Sequence, residues 1–240
     1  MSIASIPRNL ETFECRVVSG HLMLSNEDGQ WVVDTGSPVS VGRSPSTKFG
    51  RWEVPLAQNA FSMTADQLQE DVGAPIAGLI GMDFLDKYAL WDPAHGYAAI
   101  SDSPIEYREG HRIPITRMGH MTFMQATIGG IAQRMIFDTG APLSYWQSDA
   151  RTHWPSAQPY NDFHPSMGKF QTTTHIVPVT IHGDVDWQDY IRFGKLPGTI
   201  GSLVSLVSNG LIGLDVLGNA PLATYFPENV FFLPNANKTT

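Results

Sequence analysis

Val32-Val33-Asp34-Thr35-Gly36-Ser37-Pro38 decides how this chain is read, because it returns as Ile136-Phe137-Asp138-Thr139-Gly140-Ala141-Pro142. In each copy two apolar residues lead into an acid, a glycine follows two places on, and a proline two places after that. A second block is repeated as well: Gly78-Leu79-Ile80-Gly81-Met82-Asp83-Phe84-Leu85 comes back as Gly210-Leu211-Ile212-Gly213-Leu214-Asp215-Val216-Leu217. An isolated Asp-Thr-Gly is expected by chance roughly 0.03 times in a chain this long, and two copies in about one such chain in a thousand. Two unrelated hairpin turns would account for the Asp-Gly geometry. They would leave the second block unexplained.

The likeness extends outward. Gly20-His21 and Gly119-His120 each open an apolar stretch ahead of an acid. From Gly78 to Ile100 is 22 positions, and Gly210 to Phe232 is 22 as well, with aromatic-rich segments at matching offsets. Two copies at a period near half the chain indicate a duplicated lobe rather than a solenoid. The offsets divide the chain into residues 1–103 with the first turn, a polar linker at 104–112, and residues 113–240 with the second turn.

These motifs resemble the pepsin and retropepsin superfamily of aspartic peptidases. The chain is similar to a small, single-chain, two-lobed member, with a covalent duplication like that of pepsins and lobes nearer retropepsin length. The resemblance implies an all-β fold, mainly strands with short helices, in two pseudo-symmetric lobes. It also implies a catalytic dyad of Asp34 and Asp138. Thr35 and Thr139 are then expected to reach across to the opposite lobe and brace the turns, while Gly36 and Gly140 let the backbone come close. Ser37 is placed to hydrogen-bond Asp34 and favour its ionised form, which Ala141 cannot do for Asp138. Two carboxyls a few ångströms apart share one proton, a pattern for which aspartic proteases are the standard example. One acid then activates a water and the other polarises the scissile carbonyl, with no metal or cofactor. Asp83 and Asp215, though repeated, read as helix-start caps.

In members of that superfamily a hairpin between the acid turn and the later glycine motif covers the cleft. Asp34 to Gly81 is 47 positions and Asp138 to Gly213 is 75, so the first half is short of residues for a projecting hairpin. The surplus from Tyr145 to Thr174 is rich in aromatics, His and Pro. It is either a surface loop packing its own rings or the cover, with Met167-Gly168-Lys169 at its tip and Phe163, Gly168 and Phe170 against substrate.

Composition bounds the remaining choices. The chain has 240 residues, 42% hydrophobic and 16% charged, enough for a sizeable core. Its 22 Gly and 17 Pro favour strands and turns. A net charge of −8 without Lys/Arg clusters excludes a nucleic-acid surface. The single Cys15 fits a reducing compartment and reads as a buried, inert thiol. The N-terminus has no uninterrupted apolar stretch of the signal-peptide kind, so a cytoplasmic monomer away from membranes is expected. His153, His164, His175 and His182 lack helical pairing, and no metal site is expected.

Locally, Thr12–Val18, His21–Ser25 and Gln30–Asp34 read as strands, with a turn at Asn26-Glu27-Asp28-Gly29. Thr64-Ala65-Asp66-Gln67 has the form of a capping box, with Gly73 ending the helix. Further strands are expected at Ile176–Ile181 and Tyr190–Phe193. Three activities fit the whole: an aspartic endopeptidase acting on peptide or protein substrates, a non-catalytic peptide-binding or scaffold protein of the same fold, or a narrowly specific processing peptidase.

Overall fold

The structure is a computed structural model that describes residues 10–60, 63–107, 109–164, 167–218 and 220–235. It is mainly β, with two large sheets and a few short helices. The first three strands run Glu11–Val18, His21–Asn26 and Gly29–Val33, in antiparallel register Val18↔His21 and Asn26↔Gly29. Ser19 (φ 52°) and Gly20 (φ 83°) make the first connection, the left-handed pair that a two-residue hairpin turn needs.

Ten strands form the larger sheet, and its order joins both halves of the chain. Strand Leu222–Tyr225 pairs with Tyr88–Asp92 (Tyr88↔Tyr225), and Val230–Leu233 pairs with His111–Pro114. His111–Pro114 therefore enters a sheet where the sequence suggested the end of a linker. The buried Trp91 indole donates to Thr224 Oγ1 at 3.1 Å across this junction. In the eight-stranded sheet, Met121–Ile128 pairs with both Ile131–Phe137 and Gly168–Ile181, so six of its strands close into a ring. A continuous core runs through Trp31, Phe49, Trp91, Phe137, Trp146 and Phe231. Burying each such aromatic stabilises the fold by roughly 1.5–3 kcal/mol. Cys15 belongs to this core, and burial pushes its thiol pKa up to about 12.

Helix Ala65–Val72 carries the expected caps. Thr64 Oγ1 accepts from Gln67 N, Gln67 Oε1 accepts from Thr64 N at 2.9 Å, and Gly73 closes the helix at φ 71°. Other segments differ from the sequence reading. Strands Gly168–Ile181 and Trp187–Gly194 are much longer than expected. The sequence also concealed helix Gly198–Val207, whose glycines, serines and β-branched residues are poor helix formers. No helix of the described residues is long and apolar enough to cross a membrane.

Candidate active site

Each acid stands at the end of a strand that runs parallel to the glycine block of its own half. Gly29–Val33 lies beside Gly78–Ile80, and Ile131–Phe137 beside Gly210–Ile212. Asp34 N donates to Ile80 O at 3.0 Å, and Asp138 N donates to Ile212 O at 3.0 Å. The chain then turns sharply: Ser37 N reaches Asp34 O and Ala141 N reaches Asp138 O, both at 3.3 Å. The turns point both carboxyls into one cavity, close enough for the charge of Asp138 to act on Asp34.

Beneath the acids the two threonines cross over. Thr35 N donates to Thr139 Oγ1 and Thr139 N to Thr35 Oγ1, each at 3.0 Å. The Thr35 hydroxyl then donates to Phe137 O at 3.2 Å, and the Thr139 hydroxyl to Val33 O at 2.7 Å. Both threonines are buried, so these four bonds leave few polar groups unpaired where the halves meet. The glycines sit against the opposite acids. A Cβ on Gly36 would lie 2.7 Å from both carboxyl oxygens of Asp138, and one on Gly140 would lie 2.6 Å from Asp34 Cγ.

The electrostatics follow from burial and proximity. Desolvation, then the charge of Asp138, holds the Asp34 carboxyl well above the ordinary carboxylate range, against the Gly36 and Ser37 N–H donors. Desolvation raises Asp138 as well, and it is opposed by bonds from Gly140 N and from the Asp34 carboxyl. Both carboxyls are thus held above the ordinary range, and neither ionises independently of the other. Ser37 supports Asp34 through its backbone N–H at 3.0 Å. Its hydroxyl, contrary to expectation, donates to Val39 O at 2.8 Å, because the turn folds the side chain back along its own backbone.

Asp83 and Asp215 are not helix caps. The cap positions are Gly81 and Gly213, and neither has a side-chain cap bond. Asp83 accepts instead from Ser40 N (2.9 Å) and Ser40 Oγ (2.7 Å), while Ser40 Oγ accepts from Gly81 N at 3.0 Å. In the second half Asp215 accepts from Ser144 N (3.1 Å) and Ser144 Oγ (2.5 Å), and Ser144 Oγ accepts from Gly213 N at 3.0 Å. A serine thus ties each acid turn to its glycine block. The clue was in the sequence, since Ser40 and Ser144 each lie six places after the acid.

Asp34 and Asp138 line a cavity of about 210 Å³. Strands Ser156–His164 and Gly168–Ile181 form a hairpin whose Phe163, His164 and Phe170 border the same cavity. Gly168, at φ 72°, lies at the tip of this hairpin and not in the cavity wall. The first half contributes a much smaller hairpin, Asn59–Ala60 with Met63–Thr64, whose Ala60 and Met63 reach the wall; its tip lies outside the described residues. The sequence reading also missed His21, Tyr145 and Asp162. All three line the cavity, but no sequence spacing pairs them with the acids.

No protein-family model matches this chain, and no curated protein matches it. The function therefore rests on the residues themselves. Of the four histidines considered for metal, His175 bonds Trp154 O at 3.0 Å and His182 bonds Thr127 Oγ1 at 2.9 Å, in different parts of the sheet. His164 borders the dyad cavity, and burial lowers its pKa.

Proposed function

We propose that this protein is an aspartic endopeptidase of the pepsin and retropepsin type, built from two related lobes. The observation that carries the reading is the pair of carboxyls facing one cavity, each on an Asp-Thr-Gly turn and each raised in pKa by burial. A dyad that holds one proton supplies an acid and a base together. Ionised Asp138 takes a proton from water as the water oxygen attacks the scissile carbonyl carbon. Asp34 gives its proton to the carbonyl oxygen, producing a neutral gem-diol. Collapse of the diol returns a proton to a carboxylate while the amide nitrogen is protonated by the other acid, and the C–N bond breaks. No covalent intermediate on the enzyme is required.

Two further features support a peptide substrate. Ser156–His164 is the outermost strand of its sheet, and an extended peptide adds to such an edge by backbone hydrogen bonds. Apolar walls flank the acids on both sides, with Val32 and Leu79 on one and Ile136 and Leu211 on the other. Cys15, buried and without a disulfide, suits work in the reducing cytoplasm. The test is incubation with a diverse peptide mixture from pH 3 to 8, with and without a hydroxyl-bearing transition-state mimic, read by mass spectrometry. Inhibitor-sensitive internal cleavage supports the reading. Intact peptides at every pH, with the protein folded, refute it.

A further inference from the structure

Beside the dyad cavity lies a second one of about 510 Å³, and the two share His21, Pro142, Asp162, Phe163 and Phe170 as walls. Asp162 is a third acid on this wall; burial, and to a lesser degree the charge of Asp138, raises its pKa against bonds from Tyr145 and Phe163. It accepts from the Tyr145 hydroxyl and, at 2.8 Å, from Phe163 N. A carboxylate offers about four acceptor sites, so about two remain for a ligand. Among the described residues no Lys or Arg borders the dyad cavity. On the adjoining cavity the only Lys or Arg among the described residues is Lys169, 3.7 Å from Asp71 and largely exposed.

His21 provides the second, independent observation. Its side chain is 4% exposed, and its Nδ1 has no hydrogen-bond partner among the described residues. Burial lowers its pKa to about 4, so the ring is neutral at ordinary pH and one of its two nitrogens is an acceptor. His21, with its unpaired ring nitrogen, and a carboxylate with spare capacity belong to the same cavity wall, and Phe163 packs on His21 with ring centroids 5.8 Å apart. The carboxylate calls for donors, and the aromatic walls favour a cation over a neutral amide.

We propose that Asp162 and His21 form a subsite for a cationic side chain, lysine or arginine, of the bound peptide. The proposal rests on the endopeptidase reading for its substrate class, but its test does not depend on turnover. Two fluorescent peptides differing only in lysine against norleucine, scanned through the positions flanking the cleavage site, are titrated by anisotropy onto protein carrying Asp34→Asn, which cannot cleave. With charge-assisted bonds at stake, the lysine peptide is expected to bind roughly 10- to 100-fold more tightly at one position. Adding Asp162→Asn abolishes that ratio. Tyr145→Phe preserves it, because the carboxylate stays, whereas a merely structural role through the Tyr145 bond would make the two variants behave alike. Melting temperatures identify any variant that has lost its fold, and His21→Leu then serves as the second probe, expected to reduce the ratio. Equal affinity for both peptides at every position, or a lysine preference that survives Asp162→Asn, overturns the subsite. Failure of wild-type protein to cleave while the lysine ratio holds would instead overturn only the catalytic reading.

Discussion

Replacing Gly36 by alanine tests the geometry of the dyad with a single methyl group. The new Cβ would sit 2.7 Å from both carboxyl oxygens of Asp138, where ordinary contact begins near 3.4 Å, so the acid must retreat by about 0.7 Å. Catalytic groups need placement to about 0.5 Å, and a 1 Å error costs on the order of 100-fold. The expected loss in kcat is therefore about 100-fold, or ~2.7 kcal/mol of transition-state stabilisation. Forcing a methyl into a packed site also costs about 1–3 kcal/mol of stability. Gly140→Ala should behave alike through Asp34, 2.6 Å away. Gly73→Ala is the control: at φ 71° with no atom within 4 Å, it strains only the backbone, by about 1–2 kcal/mol. Urea unfolding and kcat on a cleaved peptide are measured for all three. Comparable stability losses are expected, with a rate loss only at Gly36 and Gly140. Full kcat in folded Gly36→Ala, or an equal rate loss in Gly73→Ala, refutes the reasoning.

Asp34→Asn and Asp138→Asn should each abolish turnover, since neither acid can serve as both donor and base. Both folded-state pKa values lie above the ordinary 3.8, so ionising the pair costs stability as pH rises beyond that value; Asp34→Asn should melt higher than wild type at neutral pH and lose the advantage in acid. Ser144→Ala removes a donor to Asp215, whose pKa burial raises to about 6, and should cost about 1–3 kcal/mol. Because Asp215 ionises between 3.8 and about 6, that deficit should be larger at pH 7 than at pH 4 in denaturant titrations, and an equal deficit would show that the serine does not stabilise the carboxylate. Deleting Met167-Gly168-Lys169 should lower kcat/KM roughly tenfold or more with little change in melting temperature, because Gly168 and Lys169 are exposed at the tip; unchanged kinetics would make the hairpin ordinary surface.

Much of the site was legible because local chemistry repeats in the chain. A Val-Val or Ile-Phe strand end followed by Asp-Thr-Gly specifies a turn whatever lies around it, and the two copies declared a pair of acids. The capping box at Thr64 was equally readable, since both of its bonds lie within four residues. Elsewhere the same letters acquired different surroundings. Gly20-His21 and Gly119-His120 look alike in sequence, yet His21 is buried beside the dyad and His120 is exposed, because the partners that cover a strand come from distant segments.

By itself, then, the sequence determined that the fold is strand-rich and that two matching turns each present an acid. Short-range periodicity and turn residues carry that information. Only the tertiary structure decided that the carboxyls meet, that the Ser37 hydroxyl turns away from Asp34, and that Asp83 and Asp215 bind serines rather than cap helices. It also decided that Asp162 and His21 share a wall. Apart from the Ser37–Val39 bond, these contacts join residues far apart in the chain, as do those between Thr35 and Thr139. Such pairings are fixed by packing and by the need to satisfy buried polar groups, neither of which leaves a period in the chain.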